Sequence, residues 1–166
     1  MRDFHCHIHT QDAVFCEHEI MIDRRFEEPL DQQAQKAMAE LSANKAQGLP
    51  STVHCVRATK YMVDVLTAVK PYPGTVLWHG FNGSADTAAI LYRLGVIISI
   101  GPRFNKDLVA VYKANPLFVL ETDYTGTDPQ EQKSIIKAHY ENCARLLGVS
   151  ESVLEQNALQ TAKLFL

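Results

Sequence analysis

The chain has 166 residues, of which 46% are apolar and 21% charged, enough for one domain with a buried core. It holds no run of about 18 apolar residues that would mark a membrane span, and a formal net charge of -3 without a Lys/Arg run argues against a module that holds long DNA by charge alone. Cys6, Cys16, Cys55 and Cys143 form no CxxC pair, and the opening residues lack the apolar stretch of a signal peptide, so a reduced, cytoplasmic setting is expected.

Residues Arg2 to about His9 alternate and read as a strand, with Asp3, His5, His7 and His9 on one face. The stretch from Asp12 to Arg25 is hard to read, but Glu19-Ile20-Met21-Ile22-Asp23 suits a short strand ending in charged residues. Pro29 opens a helix from about Leu30 to Gln47, which Gly48 stops. Thr52 to Cys55 reads as a buried strand, followed by a helix from about Lys60 to Val69 that ends at Pro71 and Pro73. The unit then recurs. Val76 to His79 is a strand, Gly80 to Gly83 a loop, and Ser84 caps a helix through Leu94. Val96 to Ile100 is a strand, and a helix runs from about Lys106 to Ala114. Leu117 to Leu120 is the last strand, and helices from about Pro129 to Leu147 and from Ser150 to Leu164 close the chain. Strands alternating with helices predict parallel βαβ units in a single domain over residues 1–166.

The chemistry lies at the strand ends. His5 and His7 end the first strand, His54 and His79 end two others, and Asp123 lies just past the last. In a parallel barrel these ends share one face, where catalytic residues gather. Four imidazoles and a carboxylate are costly to bury unpaired, and a metal removes that cost. Taken singly, each has an ordinary reading: a hydrogen-bonded core histidine for His54 or His79, a helix cap for Asp123. Their recurrence at one place in successive βα units favours the metal. His9 and His139 read as loop and surface residues, Cys6 and Cys55 as core, and Trp78 as packing.

Five ordered motifs carry a resemblance: Asp3-Phe4-His5-Cys6-His7, the Pro50 to Ala58 segment around His54 and Arg57, His79-Gly80-Phe81-Asn82-Gly83-Ser84, Leu94 to Gly101, and Leu120-Glu121-Thr122-Asp123. Together they resemble the TatD-type metal-dependent hydrolases. The closing helix around Asn157 to Phe165 is similar with a different spacing, and His18-Glu19-Ile20-Met21-Ile22-Asp23 stands where the family has a glycine-flanked bridging glutamate. Both glycines are replaced, by His18 and Met21, and Glu17 shares Glu19's strand face as its rival. The resemblance implies a (β/α) TIM-type barrel and two divalent ions, zinc, magnesium or manganese. One would be held by His5, His7, Glu19 and Asp123, the second by Glu19, His54 and His79. Two such ions activate a water and stabilise the attacking and leaving oxygens of a phosphodiester. Asp123 and Glu19 are the expected catalytic carboxylates. Arg57 is the expected phosphate contact, with a surface ion pair as its plain alternative. Glu121 is expected to hydrogen-bond a ligand from behind. The implied activity is a deoxyribonuclease acting on a DNA end; a small phosphoester, ester or amide substrate is also compatible.

A complete (β/α)8 barrel takes about 250 residues, and six strands are expected here. Only residues 10–18 stand where the family has about two further βα units, so the barrel is expected to be truncated or incomplete. Such a sheet exposes edges, which a tighter barrel or a homodimer across the gap would cover. The alternative function is a catalytically impaired, internally deleted remnant that acts as a metal-binding or interaction protein.

Overall fold

Runs such as Ile97-Ile98-Ser99-Ile100 are too short for a helix and apolar on both faces. In the computed structural model, which describes residues 1–71 and 75–165, they form parallel strands flanked by helices. Five of them, β3 (Ile20–Asp23), β4 (Ser51–Val56), β5 (Val76–Trp78), β6 (Ile97–Ile100) and β7 (Phe118–Leu120), pair in chain order. A separate parallel pair joins β1 (Asp3–Cys6) to β2 (Ala13–Phe15). The helices are α1 (Leu30–Gln47), α2 (Thr59–Val69), α3 (Ala85–Arg93), α4 (Val109–Ala114), α5 (Pro129–Leu147) and α6 (Glu151–Phe165), with a 3-10 turn over Lys106–Leu108 before α4.

The helix limits follow local chemistry. Gly48 and Gly148, with φ of 68° and 70°, end α1 and α5 in the left-handed conformation that glycine tolerates. The Ser84 hydroxyl accepts from the Thr87 amide, and the Asp128 carboxylate accepts from the Gln130 amide ahead of Pro129. Pro73, expected to help end the second helix, lies outside the described residues. The core holds Leu66, Ile97, Ile98, Leu120 and Leu154, all essentially sealed from solvent. Trp78 is buried and meets Phe81 edge to face.

Backbone hydrogen bonds set β1 beside the end of β7. His5 accepts from the Asp123 amide (3.1 Å), and His7 donates to the Tyr124 carbonyl (2.9 Å). The buried Asp3 carboxylate accepts from the Thr122 amide (3.0 Å), the Thr122 hydroxyl and the Gln132 amide group (2.6 Å). No ladder joins β2 to β3 among the described residues, and the chain itself spans that seam through residues 16–19. There His18 Nε2 and Glu40 Oε1 lie 2.5 Å apart, joining the seam to α1. On the free edge of β3, the Gln33 side chain from α1 accepts from the Asp23 amide (2.7 Å) and donates to the Asp23 carbonyl (3.1 Å).

The architecture is therefore a truncated TIM-barrel-like α/β fold whose ladder does not close. The count of six strands becomes seven with β2. That strand has three residues and no alternation of its own. It forms because residues 7–12 return directly to the start of β1, where parallel neighbours ordinarily need a crossover of a dozen or more residues. The first strand is also shorter than expected, leaving His7 and His9 beyond it. His139, expected on the surface, is buried. It meets the Ile100 carbonyl through Nε2 (2.7 Å) and lies beside Cys143, because α5 turns Ile136, His139, Tyr140 and Cys143 inward. Burial holds its pKa below the usual histidine value.

Candidate metal centre

The parallel strands bring their carboxyl ends to one side, where four histidines and Asp123 meet, joined by Glu19 from the residue before β3. Glu19, at the entry to β3, stands at the middle. Its Oε1 lies 2.9 Å from His5 Nε2 and 3.2 Å from His7 Nε2. Its Oε2 lies 3.4 Å from His54 Nδ1 and 3.5 Å from His79 Nε2. Asp123 Oδ1 completes the first group, 3.5 Å from His5 Nε2 and 3.3 Å from His7 Nε2. In the second group His54 Nδ1 and His79 Nε2 are 2.7 Å apart. The rings of His5 and His79 stack between the two groups, with centroids 4.2 Å apart. Glu17, the rival carboxylate, is exposed and lines a smaller cavity at the seam instead.

These atoms satisfy one another only in part, through the hydrogen bond between the His54 and His79 rings. His5 Nε2 and Glu19 Oε1 are close, yet each is a buried polar atom without a hydrogen-bond partner, as is His79 Nδ1. Orphaned buried polar atoms are costly. Converging lone pairs on imidazole and carboxylate are the donor set of a divalent cation. One atom from each of His5, Glu19, His79 and Asp123 can be chosen so that all lie within 4.8 Å of one another. The residues thus fit a divalent metal.

The electrostatics agree. Burial opposes charge on His5, but Asp123, the nearby Cys16 thiol, Glu19 and the more distant Glu121 outweigh it and push its pKa up to about 12. Burial also works to raise Glu19 and Asp123, yet the surrounding imidazoles, His5 first, hold both below the ordinary carboxylate range. A field that holds protons on nitrogen this firmly also holds a cation, and the two compete for the same atoms.

A second layer orients the rings. Asp23 Oδ2, fully buried, stands 3.3 Å from His54 Nε2, behind the nitrogen that faces Glu19. Arg25 clamps the same carboxylate through Nε (2.9 Å to Oδ2) and Nη2. Glu121 Oε1 stands 3.5 Å from His79 Nδ1 and accepts from the Gly80 amide (2.6 Å), while Ser99 donates to its other oxygen. Gly80 has φ of 57°, which lets the chain turn sharply after His79 and aim that amide. Glu121 stands behind His79 as expected, although at 3.5 Å it makes no hydrogen bond to Nδ1. The Asp23–Arg25 lever departs from the sequence expectation, because Asp23 served there only to mark the spacing of Glu19.

A cavity of about 740 Å³ opens onto His54, His79 and Asp123, and Arg57 lines it. Arg57 and Asp123 both hold positive φ, at 52° and 54°, uncommon for residues with a side chain and typical of sites where surrounding structure imposes the backbone. His9 is exposed. Cys6 is buried and Cys55 half-buried, and all four cysteines are free. No described helix is long and apolar enough to cross a membrane.

Comparison with known proteins accords with this arrangement. The model of a family described as TatD-related DNase matches residues 19–166. Among solved structures, YjjV, a TatD homologue from Escherichia coli K12, superposes with a TM-score of 0.72 at 23% identity, over 89% of this chain and 61% of that one. A TatD-family hydrolase from Entamoeba histolytica gives 0.69 at 14% identity, over 92% and 62%. A phosphotriesterase-like lactonase from Deinococcus radiodurans gives 0.57 at 17%, over 89% and 56%. The chain thus spans less than two thirds of the length of these structures. No curated protein matches. With the histidines and carboxylates at the strand ends of a shared fold, and with a family match over nearly the whole chain, the conclusion is direct: the chain belongs to the TatD-related DNase family.

Proposed function

We infer that the chain is a metal-dependent phosphoester hydrolase, with a DNA end as its substrate and two divalent ions at the centre. One observation carries the reading: the two oxygens of Glu19 face two separate imidazole pairs, His5 with His7 and His54 with His79. A carboxylate so placed would be shared between two ions. Asp123 joins the first set and Glu19 serves both. The nitrogen and oxygen donors suit zinc or manganese, and magnesium less well. Such ions polarise a phosphoryl oxygen and make water a better nucleophile.

The chain's own residues do the rest. Asp123, whose side chain is 47% exposed, faces the cavity as an ionised carboxylate able to take a proton from a nucleophilic water. Glu121 and Asp23 hold the His79 and His54 rings in register. Arg57 stands at the cavity wall, where it can meet a phosphate group of the substrate beside the one cleaved. The test combines elemental analysis of purified protein with hydrolysis of bis(p-nitrophenyl) phosphate and of short DNA. Close to two divalent ions per chain are expected, with hydrolysis lost in His54→Ala and His79→Ala. Equal activity in wild type and both variants would sink the reading.

A further inference from the structure

The cavity in front of His54 and His79 is built for negative charge beyond what hydrolysis itself requires. Three arginines line it, Arg25, Arg57 and Arg103, and among the described residues no lysine does. Its two lining carboxylates are committed elsewhere: Glu121 to Ser99, Gly80 and His79, Asp123 to His5 and His7. Among the described residues neither Arg57 nor Arg103 has an ion-pair partner, and both are exposed. Arg25 is anchored to Asp23 and reaches to 3.5 Å from His54 Nε2. Arg57 is held in its left-handed backbone conformation while its carbonyl accepts from Arg24 Nε (3.0 Å).

Cationic side chains beside residues that would gather divalent cations oppose metal binding, unless an anion joins them. Guanidinium groups match phosphate oxygens in a forked geometry that an ammonium group cannot reproduce. The cavity volume of about 740 Å³ accommodates a nucleotide-sized group. We propose that Arg25, Arg57 and Arg103 form an anion subsite for a phosphate group other than the one cleaved, so that the preferred substrate carries a terminal phosphate. The subsite deepens the phosphoester-hydrolase reading and rests on it for the bond that is cut. The rim itself belongs to this chain's side chains.

Two arms test it. Purified protein is titrated calorimetrically with inorganic phosphate. Arg103→Ala and Arg57→Ala are each expected to bind about tenfold more weakly than wild type. Arg145→Ala, on the exposed face of α5, serves as the control and keeps wild-type affinity. Equal affinity in all four proteins overturns the subsite. So does binding that survives in Arg103→Ala and vanishes in His79→Ala, which places phosphate on the metal centre alone. In the second arm, kcat/KM is compared for a dinucleotide and an oligonucleotide, each with and without a 5′-phosphate. Wild type is expected to prefer the phosphorylated forms, and Arg103→Ala to lose about tenfold of that preference. A preference confined to the dinucleotide assigns the rim to free nucleotides; one shared by the oligonucleotide assigns it to strand ends. Phosphate binding lost in the arginine variants without hydrolysis of any substrate keeps the rim and rejects the hydrolase. Hydrolysis with an unchanged preference keeps the hydrolase and rejects the rim.

Discussion

Asp23 acts on the centre through His54. Its Oδ2 stands behind the imidazole whose other nitrogen faces Glu19, so Asp23→Asn replaces the charged acceptor that fixes tautomer and ring angle with a neutral amide. Metal affinity is expected to fall about 10- to 100-fold, read by competition with a chelator. The same residue sets a pH dependence. Arg25, through its side chain, holds the Asp23 carboxyl at about 2, below its ordinary 3.8. A depressed native pKa means that the unfolded chain binds this proton more readily. The stabilisation is therefore complete above about pH 4 and is lost as pH falls through about 2. The stability deficit of Asp23→Asn, measured by urea unfolding, is expected to shrink over that window. The residue scale also marks the limit of sequence reading. His5, His7, His54, His79 and Asp123 were legible because strand ends share a face. Glu19 and Glu17 were not separable, since strand periodicity alone puts both on one side; the outcome depended on where β3 begins. Arg25 carried no periodic signal, because it meets Asp23 by folding back two residues.

Among the elements, the helices were the most legible, since proline, glycine and capping side chains mark their ends locally. β2 was not. Three residues offer no period, and the strand exists through its pairing with β1. The same dependence on partners explains Gln33, a residue of α1 whose role lies entirely on β3. Its amide occupies the backbone donor and acceptor that Asp23 presents at the free edge, and it is 5% exposed. Open edges recruit other chains. Gln33→Leu is expected to raise self-association, seen as larger species in sedimentation velocity, and a strictly monomeric variant would show that the edge is guarded by other means. Within the sheet, Leu120 on β7 is fully buried. Leu120→Ala is expected to lose about 2–5 kcal/mol in urea unfolding.

For the whole molecule, the centre joins parts that are remote in sequence. β1 and the residue just past it supply His5 and His7, Glu19 comes from the residue before β3, His54 from β4, His79 from the residue after β5, and the segment after β7 supplies Asp123. A ligand that binds only this assembled state stabilises all of it, by about 2.7 kcal/mol at a hundred times its dissociation constant. Chelation is expected to lower Tm, and added zinc or manganese to restore it in a concentration-dependent way. A Tm indifferent to both would separate the centre from global stability.

The fastening of β1 also carries a consequence in time. Its partners Thr122 and Asp123 lie more than a hundred residues downstream, so during synthesis His5 and His7 wait for the segment that follows β7. At roughly 5–20 residues per second, that interval is several seconds or more. Strands β3 to β7 pair in chain order and can zip progressively, whereas β1 closes on the far end only when the sheet stands. An ion held there would thus be a late arrival in the life of each chain, and pulse-labelled hydrogen exchange during refolding should find the β4 amides protected before that of His7.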